Sequence, residues 1–133
     1  MSERVILWGG TGQAKVIRPI LEEQGKRVIA VFDNTEGLTP PFDDVPLVHG
    51  PRFDEWRATQ SGDLGYCVTI GNPHGRARLR IAAQLEAAGL HPVSAIHPTA
   101  WIASSASLGP GCQVHAGAIV AVHTIVGSHC IIN

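Results

Sequence analysis

From Ile96 to the end of the chain, every sixth residue is aliphatic: Ile96, Ile102, Leu108, Val114, Val120, Val126 and Ile132. Two places before each of the last six stands a small residue: Ala100, Ala106, Cys112, Ala118, Thr124 and Cys130. Helices repeat near 3.6 and strands near 2, so neither alone gives a period of six. A parallel β-helix does, because each hexapeptide supplies one short strand and one corner. Residues i and i−2 of a strand face the same side. The aliphatic residue and the small one therefore both point into the prism, the small one near the bend. Three hexapeptides complete a triangular turn, so this segment holds about two coils.

The preceding 96 residues alternate strand and helix signals. Arg4 to Trp8 is an apolar strand, and Gly9-Gly10-Thr11-Gly12 is a tight loop. Gln13 to Gln24 reads as a helix with Val16, Ile17, Ile20 and Leu21 as its buried stripe. Pro19 falls inside it and is expected to kink it, and Gly25 ends it. Arg27 to Phe32 is a second strand, closed by Asp33-Asn34, which completes a βαβ unit of a parallel sheet. Thr35 to Asp44 is a loop rich in turn formers. Val45 to Val48 is a short strand, placed at an edge by Pro46. Arg52 to Gln60 is a short helix, Tyr66 to Ile70 a strand, and Gly71-Asn72-Pro73 its exit loop. His74 to Ala88 is a helix with Ala77, Ile81, Leu85 and Ala88 inward, and Pro92 to Ile96 is the last strand before the repeat. The fold class is an α/β Rossmann-like domain with a parallel sheet, residues 1–96, followed by the first coils of a β-helix, residues 97–133.

Two strand-exit loops are candidate ligand sites. Gly10, Thr11, Gly12 and Gln13 join a strand to a helix N-terminus, where free N–H groups and the helix dipole favour phosphate. Asp33 ends the next strand, 21 residues beyond Gly12, where a ribose-binding acid sits in dinucleotide-binding folds. The full G-x-G-x-x-G is not present, because Lys15 occupies its last position. The pattern thus fits a nucleotide better than a nicotinamide dinucleotide; a simple packing turn is the alternative. Gly71 and Asn72 lie at the carboxyl end of another strand. Asn72 is suited either to a base or sugar or to capping its own turn. Arg76 and Arg80 share a helix face, read as solvated.

Net charge is −1 and 16% of residues are charged, which gives no field for nucleic acid or an anionic membrane. No apolar run is long enough to span a bilayer, and no cleavable leader precedes the first strand. A cytoplasmic protein is expected. Cys67, Cys112 and Cys130 lack any C-x-x-C spacing and read as buried, reduced thiols. His115, His123 and His129 miss the inward slots of the repeat and are expected at the surface or at a subunit interface. His97 reads as a turn residue, and His49 and His74 as loop residues without partners. No histidine is assigned to catalysis or to a metal.

The chain resembles the bacterial sugar acyltransferases of the sialic acid O-acetyltransferase type, a group that includes N-acetyltransferases acting on UDP- or GDP-linked 4-amino sugars. The resemblance spans the whole chain. It rests on Gly9 to Lys15 after the first strand, Phe32-Asp33-Asn34 after the second, and Ile70-Gly71-Asn72 followed by Arg76. Ile96-His97-Pro98-Thr99-Ala100 and Cys130-Ile131-Ile132-Asn133 complete it. It implies that the first domain holds a nucleotide-activated sugar, with Gly10 to Gln13 against the diphosphate or sugar and Asp33 and Asn34 near the nucleoside. It implies a left-handed β-helix that forms a homotrimer and binds acetyl-CoA, without a metal, between subunits. Asn133 would line the acceptor site. The general base would be a histidine followed by an acidic residue, a few positions beyond the one matched by Asn133, so no catalytic residue is assigned within the chain. Gln13 stands where the family usually carries histidine.

Two other functions compete with acetyl transfer from acetyl-CoA. One is a non-catalytic nucleotide-sugar-binding or assembly subunit, the better account of a chain that stops at Asn133. The other is an NAD-dependent oxidoreductase, which leaves the hexapeptides unexplained. Two coils without a cap expose strand edges and an apolar prism, so the isolated chain is expected to self-associate.

Overall fold

The computed structural model describes residues 2–133. Five parallel strands form one sheet: β1 Glu3–Trp8, β2 Lys26–Asp33, β3 Leu47–His49, β4 Gly65–Val68 and β5 His91–Pro92, in the order β3-β2-β1-β4-β5. Alternate residues of β1 explain the layering. Val5 and Leu7 face helix α1, Gly12–Glu23, where Ala14, Ile17, Ile20 and Leu21 are buried. Ile6 and Trp8 face the opposite layer, formed by α2, Phe53–Ala58, and α3, Gly75–Ala87, through Phe53, Ile81, Ala82 and Leu85. On that side Trp8 stacks on Phe32 at 5.3 Å, and Phe53 and Trp56 meet Phe32 edge-on. Strand β3 is at the sheet edge, as Pro46 requires.

Val16, expected in the buried stripe of α1, is 43% exposed. The stripe is narrower than its sequence pattern because Ile17, Ile20 and Leu21 suffice to cover the sheet. Pro19 lies inside the helix on the same exposed side, where a missing N–H is least costly.

The last strand signal divides. His91–Pro92 closes the sheet beside β4, while Ala95–Ile96, strand β6, pairs with the coils. Strands β7 Trp101–Ile102, β8 Ser107–Leu108, β9 Gln113–Val114, β10 Ile119–Val120, β11 Ile125–Val126 and β12 Ile131–Ile132 follow at six-residue intervals. Each pairs in parallel with the strand 18 residues away: β6 with β9, β9 with β12, β7 with β10, and β8 with β11. Three faces of two to three strands begin a left-handed β-helix. Cys112, Val114, Ala118 and Val120 of the central coil are buried inside it.

Its corners are left-handed. Gly111, Gly117, His123 and His129, again six apart, have φ of 75°, 73°, 60° and 55°. Three of their N–H groups donate to side chains one coil earlier: Gly111 to Ser94, Gly117 to Thr99 and His123 to Ser105. Helix α1 is bolted to the first coil through Gln24, whose amide donates to the Ser94 carbonyl and accepts from the Ile96 N–H.

Candidate functional site

Strand order reverses between β1 and β4, and in open α/β sheets ligands gather at the carboxyl ends of the strands flanking such a switch. Both candidate loops leave from there and are joined at their bases. The Thr69 N–H donates to the Trp8 carbonyl and the Thr69 hydroxyl to the Gly9 carbonyl, each at 2.8 Å. Gly9, at φ +123°, lies so close that an added Cβ would sit 2.3 Å from the Thr69 carbonyl oxygen. Only glycine lets these two strand ends touch.

Beyond Gly9 the loop opens. The Gly10 N–H donates to Asp33 Oδ2 at 2.8 Å, and the other carboxylate oxygen receives the Thr35 N–H at 2.8 Å. Asp33 is thereby held in one orientation, with each oxygen keeping a further acceptor position. Thr11 is the N-cap of α1 and makes no side-chain capping bond. A Cβ built on Gly12 meets nothing within 4 Å. The first turn of α1 contains no acid of its own, so the nearest carboxylate to this loop is Asp33, already bonded to Gly10. A cavity of about 330 Å³ adjoins Asp33, lined by Thr35, Gly37, Leu38, Leu47 and His49 among others. Asn34 turns away from the glycine loop: its side chain lies over Gly50, and its carbonyl is 3.1 Å from His49 Nε2. His49, read as partnerless, thus has a partner.

Gln13 links the sheet domain to the β-helix. Its Nε2 is 2.9 Å from Gln113 Oε1 and 3.0 Å from His115 Nε2. Gln113 in turn donates to the Val68 carbonyl at 2.7 Å and is fully buried. An amide nitrogen only donates, so His115 Nε2 accepts and carries no proton. Burial holds His115 below the ordinary histidine pKa. Asn133 occupies the same corner one coil further on, because the His115 N–H donates to the Ile132 carbonyl.

A second inter-domain seam runs beneath Asn72. His129, expected at the surface or at a subunit interface, is instead buried within the chain at 5% exposure and stacks on Tyr66 with ring centroids 5.7 Å apart. The outward slot of a hexapeptide is solvent-facing only where no other domain covers it, and here the sheet domain does. The Tyr66 hydroxyl donates to Glu86 at 3.0 Å and lies 3.4 Å from His129 Nε2, while His129 Nδ1 is buried without a partner. Burial lowers the His129 pKa, and burial together with Glu86 raises that of Tyr66. Arg78 is also buried and bonds Ile70, Asn72 and His129. Sequence periodicity pointed to none of Arg78, Gln113 or His129, since each is buried by docking between domains. Arg76 and Arg80 are exposed. Cys67 and Cys112 are buried, but Cys130, read as buried, is only half-buried. No group of three or more metal-ligating side chains occurs among the described residues.

Residues 4–85 match the family model described as the PglD N-terminal domain. No curated protein matches the chain. Among solved structures, PerB from Caulobacter crescentus, in complex with CoA and GDP-perosamine, superimposes with a TM-score of 0.81 at 30% identity, over 97% of this chain and 59% of that one. A mutant of perosamine N-acetyltransferase from the same organism, also with CoA and GDP-perosamine, gives 0.81 at 32% identity over 97% and 59%. The acetyltransferase domain of PglB from Neisseria gonorrhoeae, in complex with acetyl coenzyme A, shares the fold, with a TM-score of 0.78 at 21% identity over 100% and 62%. The chain spans about three-fifths of the length of these structures. With a match that covers the glycine loop, Asp33 and the Asn72 loop, this chain belongs to the PglD N-terminal domain family.

Proposed function

We propose that this chain is the nucleotide-sugar-binding part and opening coils of an acetyltransferase that moves an acetyl group from acetyl-CoA to an amino or hydroxyl group of a nucleotide-activated sugar in bacterial glycan biosynthesis. Residues 1–96 would bind the nucleotide sugar and residues 97–133 would begin the β-helix. The observation that carries this reading is the link from the glycine loop through Gln13 to His115, one coil below Asn133. Adjacent coils are separated by about 4.8 Å. A diphosphate against Gly10 to Gln13 would direct its sugar along that corner toward Asn133. The likeness to PerB, whose structure contains CoA and GDP-perosamine, supports the same reading.

In this scheme the nucleoside lies by Asp33, the Asn34 backbone and the adjoining cavity. Gly71 and Asn72 close the other side. The sugar amine or hydroxyl attacks the thioester carbonyl of acetyl-CoA directly, a histidine removes its proton, and the thiol of CoA leaves. Backbone N–H groups would stabilise the oxyanion, and holding both substrates in register supplies much of the acceleration. The base is assigned to the part of the family that follows the position of Asn133. A homotrimer is supported by Trp101, Ile119 and Ile125, which are 56%, 70% and 85% exposed on the outer faces of the coils. No helix is long and apolar enough to cross a membrane. We place the protein in the cytoplasm, where its proposed co-substrates are made.

Calorimetric titration with GDP- and UDP-linked 4-amino sugars, and with NAD, tests the binding half. Binding of a nucleotide sugar with no response to NAD is expected, and the reverse would overturn the reading. Release of CoA thiol by the complete gene product, given acetyl-CoA and the sugar that binds, tests the catalytic half. Binding without turnover would mark the non-catalytic subunit instead.

A further inference from the structure

Arg78 is buried, 6% exposed, and forms no ion pair among the described residues. A buried cation must be repaid by hydrogen bonds, and all three partners of its guanidinium are uncharged oxygens. Nε donates to the His129 carbonyl at 3.0 Å, Nη1 to the Ile70 carbonyl at 3.0 Å, and Nη2 to Asn72 Oδ1 at 3.3 Å. One side chain of α3 therefore grips the exit of β4, the loop that follows it and the second coil of the β-helix. The planar fork of arginine makes such a three-way grip possible, and a lysine ammonium on its flexible stem cannot reproduce it.

The grip also sets the chemistry of Asn72. A guanidinium only donates, so Asn72 must turn its oxygen inward to Arg78. Its amide nitrogen, with two hydrogens, is left on the exposed side of the loop. We propose that Arg78 is a positioning residue that fixes Asn72 as a hydrogen-bond donor to a phosphate oxygen of the nucleotide sugar, while tying that loop to the β-helix at His129. The assignment rests on the nucleotide-sugar reading above for its ligand, and on the geometry of this chain for its clamp. The carboxyl ends of β1 and β4 would then each bring a donor to the phosphate: the first-turn N–H groups of α1 from one loop and the Asn72 amide from the other.

Two measurements test it. The first is affinity for GDP- and UDP-linked sugars in Asn72→Ala, Arg78→Met and the double variant. If Arg78 acts through Asn72, each single change weakens binding about tenfold, the loss of one good hydrogen bond, and the double variant is no weaker than Asn72→Ala. Losses that multiply to about a hundredfold, or an Arg78→Met affinity equal to wild type, overturn the proposal. The second is hydrogen exchange at the His74 amide, which bonds to the Gly71 carbonyl across the loop. It should speed up at least about tenfold in Arg78→Met and stay slow in Asn72→Ser, and unchanged exchange in Arg78→Met overturns the clamp whatever the ligand. Should Arg78→Met fail to fold, Arg78→Lys is scored on the same two readouts. A wild-type chain that binds neither sugar removes the functional reading and the phosphate assignment, while the exchange result alone still decides the clamp.

Discussion

Gln13 and His115 are 102 positions apart and share a 3.0 Å hydrogen bond, and that bond exists only while the imidazole is neutral. His129, at the other inter-domain seam, is also held neutral by burial, against Arg78 and Tyr66 and with Glu86 as a weaker opposing influence. Both histidines have folded pKa values below the ordinary value of 6.5. The unfolded chain therefore takes up protons first as pH falls, and stability declines below about pH 6.5 until the folded pKa values are reached. The carboxylates of Glu3 and Asp44 are lowered too, Asp44 to about 2 by its bidentate bond to Arg18, so their contributions fade only at more acid pH. Urea unfolding at pH 7.5 and 5.5 should give a lower midpoint at 5.5, and a smaller difference in His115→Asn. An unchanged midpoint would count against neutral histidines at the seams.

Gly9 and Gly12 belong to one loop and are predicted to answer differently to alanine. Gly9→Ala drives a methyl group into the Thr69 carbonyl at a positive φ, and should cost about 3 kcal/mol or more. Gly12→Ala puts a methyl group in open space at the first helical position, and should leave stability unchanged or raise it by up to about 1 kcal/mol. If a diphosphate approaches that backbone, Gly12→Ala should still weaken nucleotide-sugar binding. Thermal unfolding and calorimetry on the two variants separate the structural glycine from the ligand-facing one.

The contrast shows what sequence could and could not say. Period six fixes the coils because every inward slot is filled from within its own strand, so no distant partner is needed. The glycine loop and Asp33 are legible for the same reason: a strand end, a turn and a helix start are local. Arg78, Gln113 and His129 are different. Each sits where its own element reads as solvent-facing, and is buried only because the sheet domain and the β-helix dock against each other. Val16 errs the other way, apolar by pattern yet left half exposed.

The thiols should divide by location. Burial pushes Cys67 up to about 12 and also raises Cys112, so neither supplies thiolate near neutral pH. Cys130 is half-buried near the end of the prism. A maleimide or disulfide reagent at pH 7.5 should modify one thiol of the native chain, located at Cys130 by mass spectrometry, and three after denaturation. Fast native modification of Cys67 would contradict the sheet core described above.

The left-handed corners give a graded series. His123 has φ +60° and is exposed, and its N–H donates to Ser105. Valine there would bring a β-branched side chain into a region it rarely enters, and glycine would enter it freely. His123→Val should be about 1–2 kcal/mol less stable than His123→Gly, the cost of a left-handed residue with a Cβ and a branched χ1. Equal unfolding midpoints for the two variants would mean that the corner is not left-handed in solution.

Asp33→Asn examines the link between loop and strand end. The carboxylate receives the Gly10 and Thr35 N–H groups, one on each oxygen. An asparagine has one acceptor oxygen, so its amide nitrogen must face one of these donors. The resulting donor–donor clash should cost about 1–3 kcal/mol. Because Gly10 would lose the partner that fixes the loop, or Thr35 the one that fixes its turn, affinity for a nucleotide sugar should fall together with stability. In Asp33→Glu both charge-assisted bonds are chemically possible but the longer stem displaces them, so affinity should drop with a smaller loss of stability. Calorimetry at matched folded fraction distinguishes the cases: wild-type affinity in Asp33→Asn would remove Asp33 from the proposed site and leave it a structural end to β2.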